Sequence, residues 1–465
     1  MLILAAISIT MLTGDNSILK RAVDAKERTG IAEIEEKIKL SYNAALAEDL
    51  TTGKGKLQED TLRKELAKEF PNSTIDIDTE TDTTGKKWYV KIDNGTPIEV
   101  QAGKTGAKVA ELPKAAGTIP YYPSEDFTMS TEPSEQTIEG GLVITDGENE
   151  FVWVVVPMTD GNSGVYKTAG LGITDFSDAN CLKIAKDLAV YSGSTLSQNP
   201  EKLSDHLPPA DKVGTDYTTA YKNMLKSVYQ NGGFWVGRYE TGIKGTEEKD
   251  TSARDFGTDY NTERETKDDK AVISKGVQPY TWVRWGQAQT LAQGISSGTR
   301  TSSLLIGVQW DLVLKFLDKN GETDSHEWGN YADSSFTMES GKYIKYVTGY
   351  KLDTEWIDYD NTAKDNNDYL VNKVKKATPS SSEYIKGRVL YTTGANTTNN
   401  SKKNICDVAG NVYEWTIENT SSTRYPCAVR GGSFDYTGSS IPASNRSINY
   451  TSYSYYNHGF RVSLY

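Results

Sequence analysis

The segment Phe434–Asn457 constrains this chain more than any other stretch, because its composition differs from that of the remaining residues. It reads FDYTGSSIPASNRSINYTSYSYYN and lies between the motifs Arg430–Ser433 (RGGS) and Gly459–Arg461 (GFR). Tyr, Ser and Asn dominate the segment, and antibody paratopes favour these residue types. The fold must therefore hold a polar, tyrosine-rich segment between two short glycine-containing motifs.

The segment also lacks Lys, Glu, Gln, Met and Trp, although Lys and Glu are common elsewhere in the chain. These are the amino acids that no codon ending in C or T encodes. The composition therefore predicts a segment that has been diversified by substitution at the adenines of Asn codons. The alternative is a serine- and tyrosine-rich β-hairpin region that drifted to this composition.

The composition of the whole chain is typical of a binding protein rather than of an enzyme with a recognisable catalytic motif. The chain has 465 residues, enough for two or three domains, and its net charge of −12 argues against a nucleic-acid partner. With few long apolar runs, the 28 Tyr, 9 Trp and 40 Gly indicate a loop-rich fold. Neither the three cysteines nor the three histidines have the spacing of a zinc site, and no phosphate-binding loop or nucleophile elbow is present.

The order of the C-terminal motifs resembles that of the formylglycine-generating-enzyme (sulfatase-modifying factor) family, a variant of the C-type lectin fold. The motifs that carry this resemblance are Asn404–Trp415 (NICDVAGNVYEW), RGGS, Arg446 and GFR. Upstream segments match more loosely, namely Gly141–Val154, Phe234–Thr241, Pro279–Ala288 and Gln309–Trp310. The resemblance covers roughly residues 140–465 and implies a loop-rich lectin-type domain.

One departure from the enzyme family concerns the catalytic cysteines. The enzymes carry a pair of redox-active, metal-binding cysteines just before GFR, whereas residues 446–458 of this chain contain no cysteine. Neither Ser nor Tyr replaces a thiolate as nucleophile or soft-metal ligand. The resemblance therefore implies the fold without the activity. The same scaffold forms the display domain of diversity-generating-retroelement variable proteins, a second resemblance that implies a variable region at about 434–457.

The candidate ligand-binding residues all lie in this variable region. Large aromatic anchors with small polar neighbours can bury a partner at low entropic cost. The candidates are Asp435, Tyr436, Ser440, Asn445, Ser447, Asn449, Tyr450, Ser452, Tyr453, Ser454, Tyr455, Tyr456 and Asn457. We expect some of these tyrosines to pack inward. Phe434, Arg446 and Phe460 are expected to belong to the scaffold, with Phe460 in the core and Arg446 paired with a buried acid.

A second candidate site consists of Asp407, Gly410, Val412 and Glu414. In the enzyme family the matching loop binds structural calcium, an ion that takes six to eight oxygen ligands from carboxylates and backbone carbonyls. The alternative is that the two acids only form hydrogen bonds with loop amides. No other cofactor is expected.

The N-terminal part has a different pattern. Residues 1–12 are apolar but shorter than the roughly 20 residues that span a bilayer. Apolar residues from Ile31 to Leu46 then recur at helical spacing, which predicts a long helix. A second helix is predicted at 57–70 and strands at 74–77, 88–92 and 97–100. This order resembles a type IV pilin-like module; the alternative is a helical domain whose first turns are core.

Together these patterns predict an α+β chain. It comprises a pilin-like helix at 1–50, a small α/β head at 51–103, a linker rich in Pro, Gly, Ser and Thr at 104–139, and a C-type-lectin-fold display domain at 140–465. We expect a non-catalytic protein of the bacterial cell surface, associated with a pilus or membrane, that binds a protein or glycan. The alternatives are a formylglycine-generating-type oxidase and a structural minor pilin.

Overall fold

The computed structural model describes scattered positions within 34–49 and then residues 57–156, 173–193, 200–244, 270–295, 300–347, 351–360 and 384–465, with short gaps inside several of these ranges. The chain divides into two compact units, residues 1–110 and 111–465. No helix among the described residues is both long enough and apolar enough to cross a bilayer.

The first unit packs helices on an antiparallel sheet. Its described positions from Ile34 to Asp49 are helical, and helix α1 (Glu59–Glu69) follows. The strands lie in chain order across the sheet: β1 (Ile75–Asp82), β2 (Gly85–Ile92), β3 (Ile98–Gln101) and β4 (Lys104–Ala107). Their shared core contains Ile38, Tyr42, Leu62, Leu66, Trp88 and Val90. The predicted second helix and three strands are present, and β4 is an addition.

The apolar start of the predicted pilin helix lies in residues 1–33, outside the described residues. The pilin-like origin of this unit therefore stays a prediction.

The boundary between the two units falls inside the predicted linker at 104–139, but residues on either side of that boundary belong to sheets of the units. The first residues of the predicted linker form β4, and β5 (Thr128–Met129) joins the main sheet of the second unit. Phe127 is buried, and the hydroxyl of Thr118 accepts a 2.6 Å hydrogen bond from the indole of Trp153. Isolated residues such as Thr118 and Phe127 make the contacts of this segment, so its sequence has no helical or strand periodicity.

The second unit is built on a six-stranded sheet with the order β11-β22-β8-β7-β6-β5. The bounds are β6 (Val143–Thr145), β7 (Glu150–Val155), β8 (Gly233–Gly237), β11 (Ser302–Leu304) and β22 (Val462–Leu464). Its helices are α2 (Asp178–Tyr191), α3 (Ala210–Val213), α4 (Thr218–Asn231), α5 (Trp285–Gly294) and α6 (Gly307–Phe316), with 3₁₀ turns at Pro133–Glu135 and Leu203–His206. Helix α4 buries Tyr221, Met224, Leu225 and Val228, the spacing of one helical face, and ends at left-handed Gly232.

A second, four-stranded sheet carries the C-terminal motifs. It has the order β20-β19-β18-β21, with bounds β18 (Tyr413–Asn419), β19 (Cys427–Arg430), β20 (Ser447–Asn449) and β21 (His458–Phe460). Strands β18 and β21 are parallel. Because β21 ends at Phe460 and β22 begins at Val462, Arg461 lies where the chain passes from this sheet to the main sheet. The segment Phe434–Asn457 connects β19 to β21 and includes β20.

Smaller sheets complete the second unit. They consist of β9 (Gly242–Lys244) with β10 (Lys270–Val272), of β12 (Lys342–Val347), β13 (Lys351–Leu352), β14 (Ile357–Asp358) and β15 (Tyr384–Tyr391), and of β16 (Ser401–Lys402) with β17 (Ile405–Cys406). Phe434 and Phe460 are fully buried, which agrees with the expected scaffold role of the first and core position of the second.

Candidate functional site

Two buried arginines, Arg430 and Arg461, flank the segment Phe434–Asn457, which is called the variable segment after its predicted diversification. The Nε of Arg461 lies 3.1 Å from each carboxylate oxygen of Glu414, and its two Nη groups donate to the carbonyls of Gly237 and Cys406 at 2.9 and 2.8 Å. At the other end, Nη2 of Arg430 donates to Asp311 at 2.7 Å. Both arginines are fully buried, so the chain enters and leaves the segment at fixed points.

A third arginine holds the middle of the segment. Arg446 donates from Nε to Glu418 and from Nη2 to Asp311, which it shares with Arg430. The predicted pairing of Arg446 with a buried acid is confirmed. Because Glu418 is on β18 and Asp311 on α6, this cluster ties the segment to both a strand and a helix.

A buried polar cluster forms around Asp435. Its carboxylate accepts hydrogen bonds from the hydroxyls of Ser433 (2.6 Å) and Tyr456 (2.5 Å) and from the amide of Asn457 (3.2 Å). Burial also raises the pKa of Tyr456 well above its usual value. Asp435, Tyr456 and Asn457 are thus structural, and so is the fully buried Ser454. These four residues were predicted to face a ligand, but each is shielded from solvent, so they do not belong to the accessible face, and Tyr456 is one of the tyrosines expected to pack inward.

His458 links this cluster to the tyrosines above it. Its Nε2 lies 2.8 Å from the amide nitrogen of Asn449, and its Nδ1 lies 2.8 Å from the amide oxygen of Asn457. These contacts require a neutral ring that accepts at Nε2 and donates from Nδ1. Burial lowers the pKa of His458 to about 3, which agrees with a neutral imidazole.

A continuous row of rings crosses this region, and we call it the aromatic band. It consists of Tyr436, Tyr413, His458, Tyr455, Tyr453, Tyr450 and Tyr425. In that order, successive ring centroids are 5.8, 5.1, 4.6, 6.1, 4.4 and 4.5 Å apart. Such spacings allow stabilising edge-to-face or offset contacts. The band is therefore a connected row of packed rings, in which Tyr413 and His458 are buried and the other five reach solvent.

The remaining candidates reach solvent, and Tyr436, Tyr450, Tyr453 and Tyr455 do so as members of the band. Tyr436, Ser440 and Ser452 are exposed, and a further six are half-buried: Asn445, Ser447, Asn449, Tyr450, Tyr453 and Tyr455. These nine side chains are placed where a ligand could reach at least part of each, and their role in binding stays a prediction.

Sequence reasoning missed four residues of this region. Tyr413, Arg424 and Tyr425 lie outside Phe434–Asn457, so the codon pattern gave no reason to choose them. Ile448 lies inside the segment but is neither tyrosine nor a small polar residue, and its side chain is 50 % exposed. The polar–apolar–polar order of Ser447, Ile448 and Asn449 along β20 would have predicted an inward Ile448, so the local pattern carries no signal for its exposure.

The predicted calcium ligands do not fit that role. Both carboxylate oxygens of Glu414 accept from Arg461. Asp407 accepts from the amide of Asn400 at 2.9 Å and from the backbone N–H of Gly394 at 2.7 Å. Burial raises the pKa of Asp407 to about 7, so this carboxyl group is partly protonated near neutral pH and carries less negative charge for a cation. Among the described residues, no three His, Cys, Asp or Glu side chains are arranged to hold a metal ion.

The cysteines are unsuited to thiolate chemistry. Cys181, Cys406 and Cys427 are free and buried. Burial raises the pKa of Cys406 to about 12 and that of Cys427 well above its usual value. A buried thiol with a raised pKa is a poor nucleophile.

Comparison with known proteins agrees with the architecture of the second unit. The pattern of the FGE-sulfatase family, described as a sulfatase-modifying factor enzyme 1-like domain, matches residues 219–464, more than half of the chain. No curated protein matches the chain, and no solved structure does. The matched range includes helix α6, which carries Asp311, and strand β18, which carries Glu414 and Glu418. It also includes the GFR motif. The chain therefore belongs to the FGE-sulfatase family.

Proposed function

We propose that the second unit is a non-catalytic ligand-binding domain whose diversified Tyr, Ser and Asn face recognises a protein or glycan. The aromatic band is the observation that carries this proposal. It presents several partly exposed rings in one connected row, and aromatic anchors of this kind dominate the binding energy of many interfaces.

The support beneath the band favours recognition by a preformed surface. Arg430, Arg446 and Arg461 each donate to buried acids, so the backbone is fixed at both ends and near the middle. A face that is ordered before binding loses little conformational entropy when a ligand arrives. Side chains can then change while the path of the chain is kept.

The same region argues against a formylglycine-generating-type oxidase. Residues 446–458, where the enzymes carry their cysteine pair, contain no cysteine, and the cysteines present are buried. The direct test is oxygen- and copper-dependent turnover of a thiol-containing peptide by the full chain. Turnover above the uncatalysed rate would revive the enzyme hypothesis.

We further propose that the protein acts at the bacterial cell surface, with pilus or membrane association through its N-terminal part. The apolar residues 1–12 and the order of helices and strands after them support this placement. A structural minor pilin is the competing function. Incorporation into filaments that does not depend on residues 434–457, with no ligand binding, would favour it.

The first experiment on diversification is sequencing of the encoding DNA and its flanks in the native genome. We expect a near-copy of the 3′ coding region that differs only at adenines, beside a reverse-transcriptase gene. Ordinary codon usage across 434–457, with no such copy, would contradict diversification and leave a fixed binding face.

A further inference from the structure

One exposed cation lies at the end of the aromatic band. The guanidinium carbon of Arg424 is 5.0 Å from the ring centroid of Tyr450 and 5.4 Å from that of Tyr425. Within the described part of the chain, Arg424 has no ion pair or hydrogen bond. Stacking on a ring orients a guanidinium but does not neutralise its charge, so its N–H groups remain available to a carboxylate.

The variable segment supplies no competing charge. Its only charged residues are Asp435 and Arg446. Asp435 is enclosed by Ser433, Tyr456 and Asn457, and Arg446 is engaged by Glu418 and Asp311. Arg424 therefore sets the charge at this end of the face.

The two ends of the band differ in charge. Near Tyr436, the carboxylate of Asp333 accepts from the backbone N–H of Gly438 at 2.9 Å. An acidic ligand group is disfavoured beside Asp333 and favoured beside Arg424. Complementary charges of this kind fix the orientation and register of a partner.

Arg424 is also outside the segment with the unusual composition. It lies in the connection between β18 and β19, where the hydroxyl of Thr420 donates to the carbonyl of Tyr425 and the N–H of Tyr425 donates to Ser422 at 3.2 Å. Substitutions confined to 434–457 leave this connection unchanged. Each version of the face would retain the same cation.

Two observations favour a protein ligand over a glycan. Ile448 is 50 % exposed and Tyr436 is 40 % exposed, and large apolar side chains gain most by packing against other apolar side chains. In addition, Tyr450 is already in contact with Arg424, Tyr425 and Tyr453, which leaves little open ring face for a sugar.

We propose that Arg424 is a constant specificity-determining residue that directs the face toward peptide segments of protein partners carrying an Asp or Glu at the Tyr450 end of the band. This inference rests on the proposed ligand-binding function.

The test uses the full chain and short synthetic peptides in matched pairs, with each Asp or Glu of one member replaced by Asn or Gln in the other. We expect acidic members to bind more tightly, and Arg424→Gln to weaken them by about fivefold, corresponding to about 1 kcal/mol for an exposed pair. Amide members should be unaffected. Arg424→Lys should restore most of the preference, and higher ionic strength should reduce it.

The matched control is Arg300→Gln, which removes another guanidinium stacked on a tyrosine, 3.9 Å from the ring centroid of Tyr121. It should leave the acidic preference intact. If peptides bind and Tyr453→Ala weakens them, but Arg424→Gln leaves the preference unchanged, the role of Arg424 is refuted while ligand binding stands. If no peptide binds, or neutral glycans bind instead, the inference fails. Failure of both peptides and glycans to bind removes the support for the proposed function as well.

Discussion

Tyr453 and Tyr456 lie three residues apart in the same tyrosine-rich stretch, yet the fold uses them differently. Tyr453 is half-buried in the aromatic band, with its ring 4.4 Å from that of Tyr450. Tyr456 is 2 % exposed and donates its hydroxyl to Asp435. Tyrosine suits both positions because it combines a large apolar ring with a polar tip.

This difference shows that composition identifies the segment but does not assign its residues. Tyr456 faces inward because its ring packs against Phe434 and against Tyr346 of β12 while its hydroxyl reaches Asp435. Tyr453 makes no such buried contact with Asp435 and remains partly exposed in the aromatic band. The following substitutions separate the two groups.

The largest effect is expected for Tyr456→Ala. Truncation leaves a cavity beside Phe434 and Tyr346 and removes a donor from the buried Asp435. We expect a loss of about 4 kcal/mol in the free energy of unfolding of the second unit. Urea denaturation followed by near-UV circular dichroism measures it. A loss as small as that of Tyr453→Ala would show that the two tyrosines are equivalent.

Arg446→Met should have the next largest effect on unfolding. The change leaves Glu418 and Asp311 with one arginine, Arg430, between them. Removing one partner of a largely buried ion pair is strongly destabilising, and we expect a loss of about 3 kcal/mol. The same urea titration applies, with Arg424→Met as the exposed control. Equal stability of the two variants would contradict the role of Arg446 as an anchor.

Acid should weaken the second unit through His458. Its pKa is depressed from 6.5 to about 3 by burial, so the unfolded chain takes up a proton that the folded chain excludes. The stability from this residue is complete above pH 6.5 and falls by about 1.4 kcal/mol per pH unit toward pH 3. Comparing the pH dependence of the melting temperature with that of His458→Gln isolates this contribution, because effects of other groups such as Asp407 are common to both. Parallel curves for the two proteins would rule out the contribution.

Tyr453→Ala should change the free energy of unfolding by less than about 1 kcal/mol, because the ring is partly exposed and leaves no closed cavity. Binding to a ligand selected against the wild-type face should nevertheless fall by at least about tenfold. Calorimetric titration alongside thermal unfolding separates the two outcomes. Strong destabilisation with retained ligand binding would show that Tyr453, like Tyr456, has a structural role.

The smallest effect is expected from calcium. Because the oxygens of Glu414 and Asp407 are already engaged by Arg461, Asn400 and Gly394, adding Ca²⁺ or a chelator should not move the melting temperature. A calcium-dependent rise would mean that these side chains rearrange to bind the ion.

Local patterns predicted much of this architecture. Helical periodicity located α1, the motif order identified the family, and the expected scaffold role of Phe434 and core position of Phe460 agree with their complete burial. The inward positions of Asp435 and Ser454 depend instead on contacts between distant parts of the chain, such as the parallel pairing of β18 with β21. The contact of Tyr425 with Tyr450 is likewise nonlocal, so no local pattern predicts it.

The three arginines that anchor the segment Phe434–Asn457 have a consequence for evolution. Arg430, Arg446 and Arg461 are spaced almost evenly along the chain, and each is tied to acids contributed from outside the segment. The side chains between them that reach solvent, such as Tyr453, can be replaced without changing the groups that fix the loop, whereas buried ones such as Asp435 and Tyr456 cannot. Mutational tolerance is therefore concentrated at the solvent-reaching positions between anchors, and a lineage can explore new surfaces there without having to rediscover a stable fold each time.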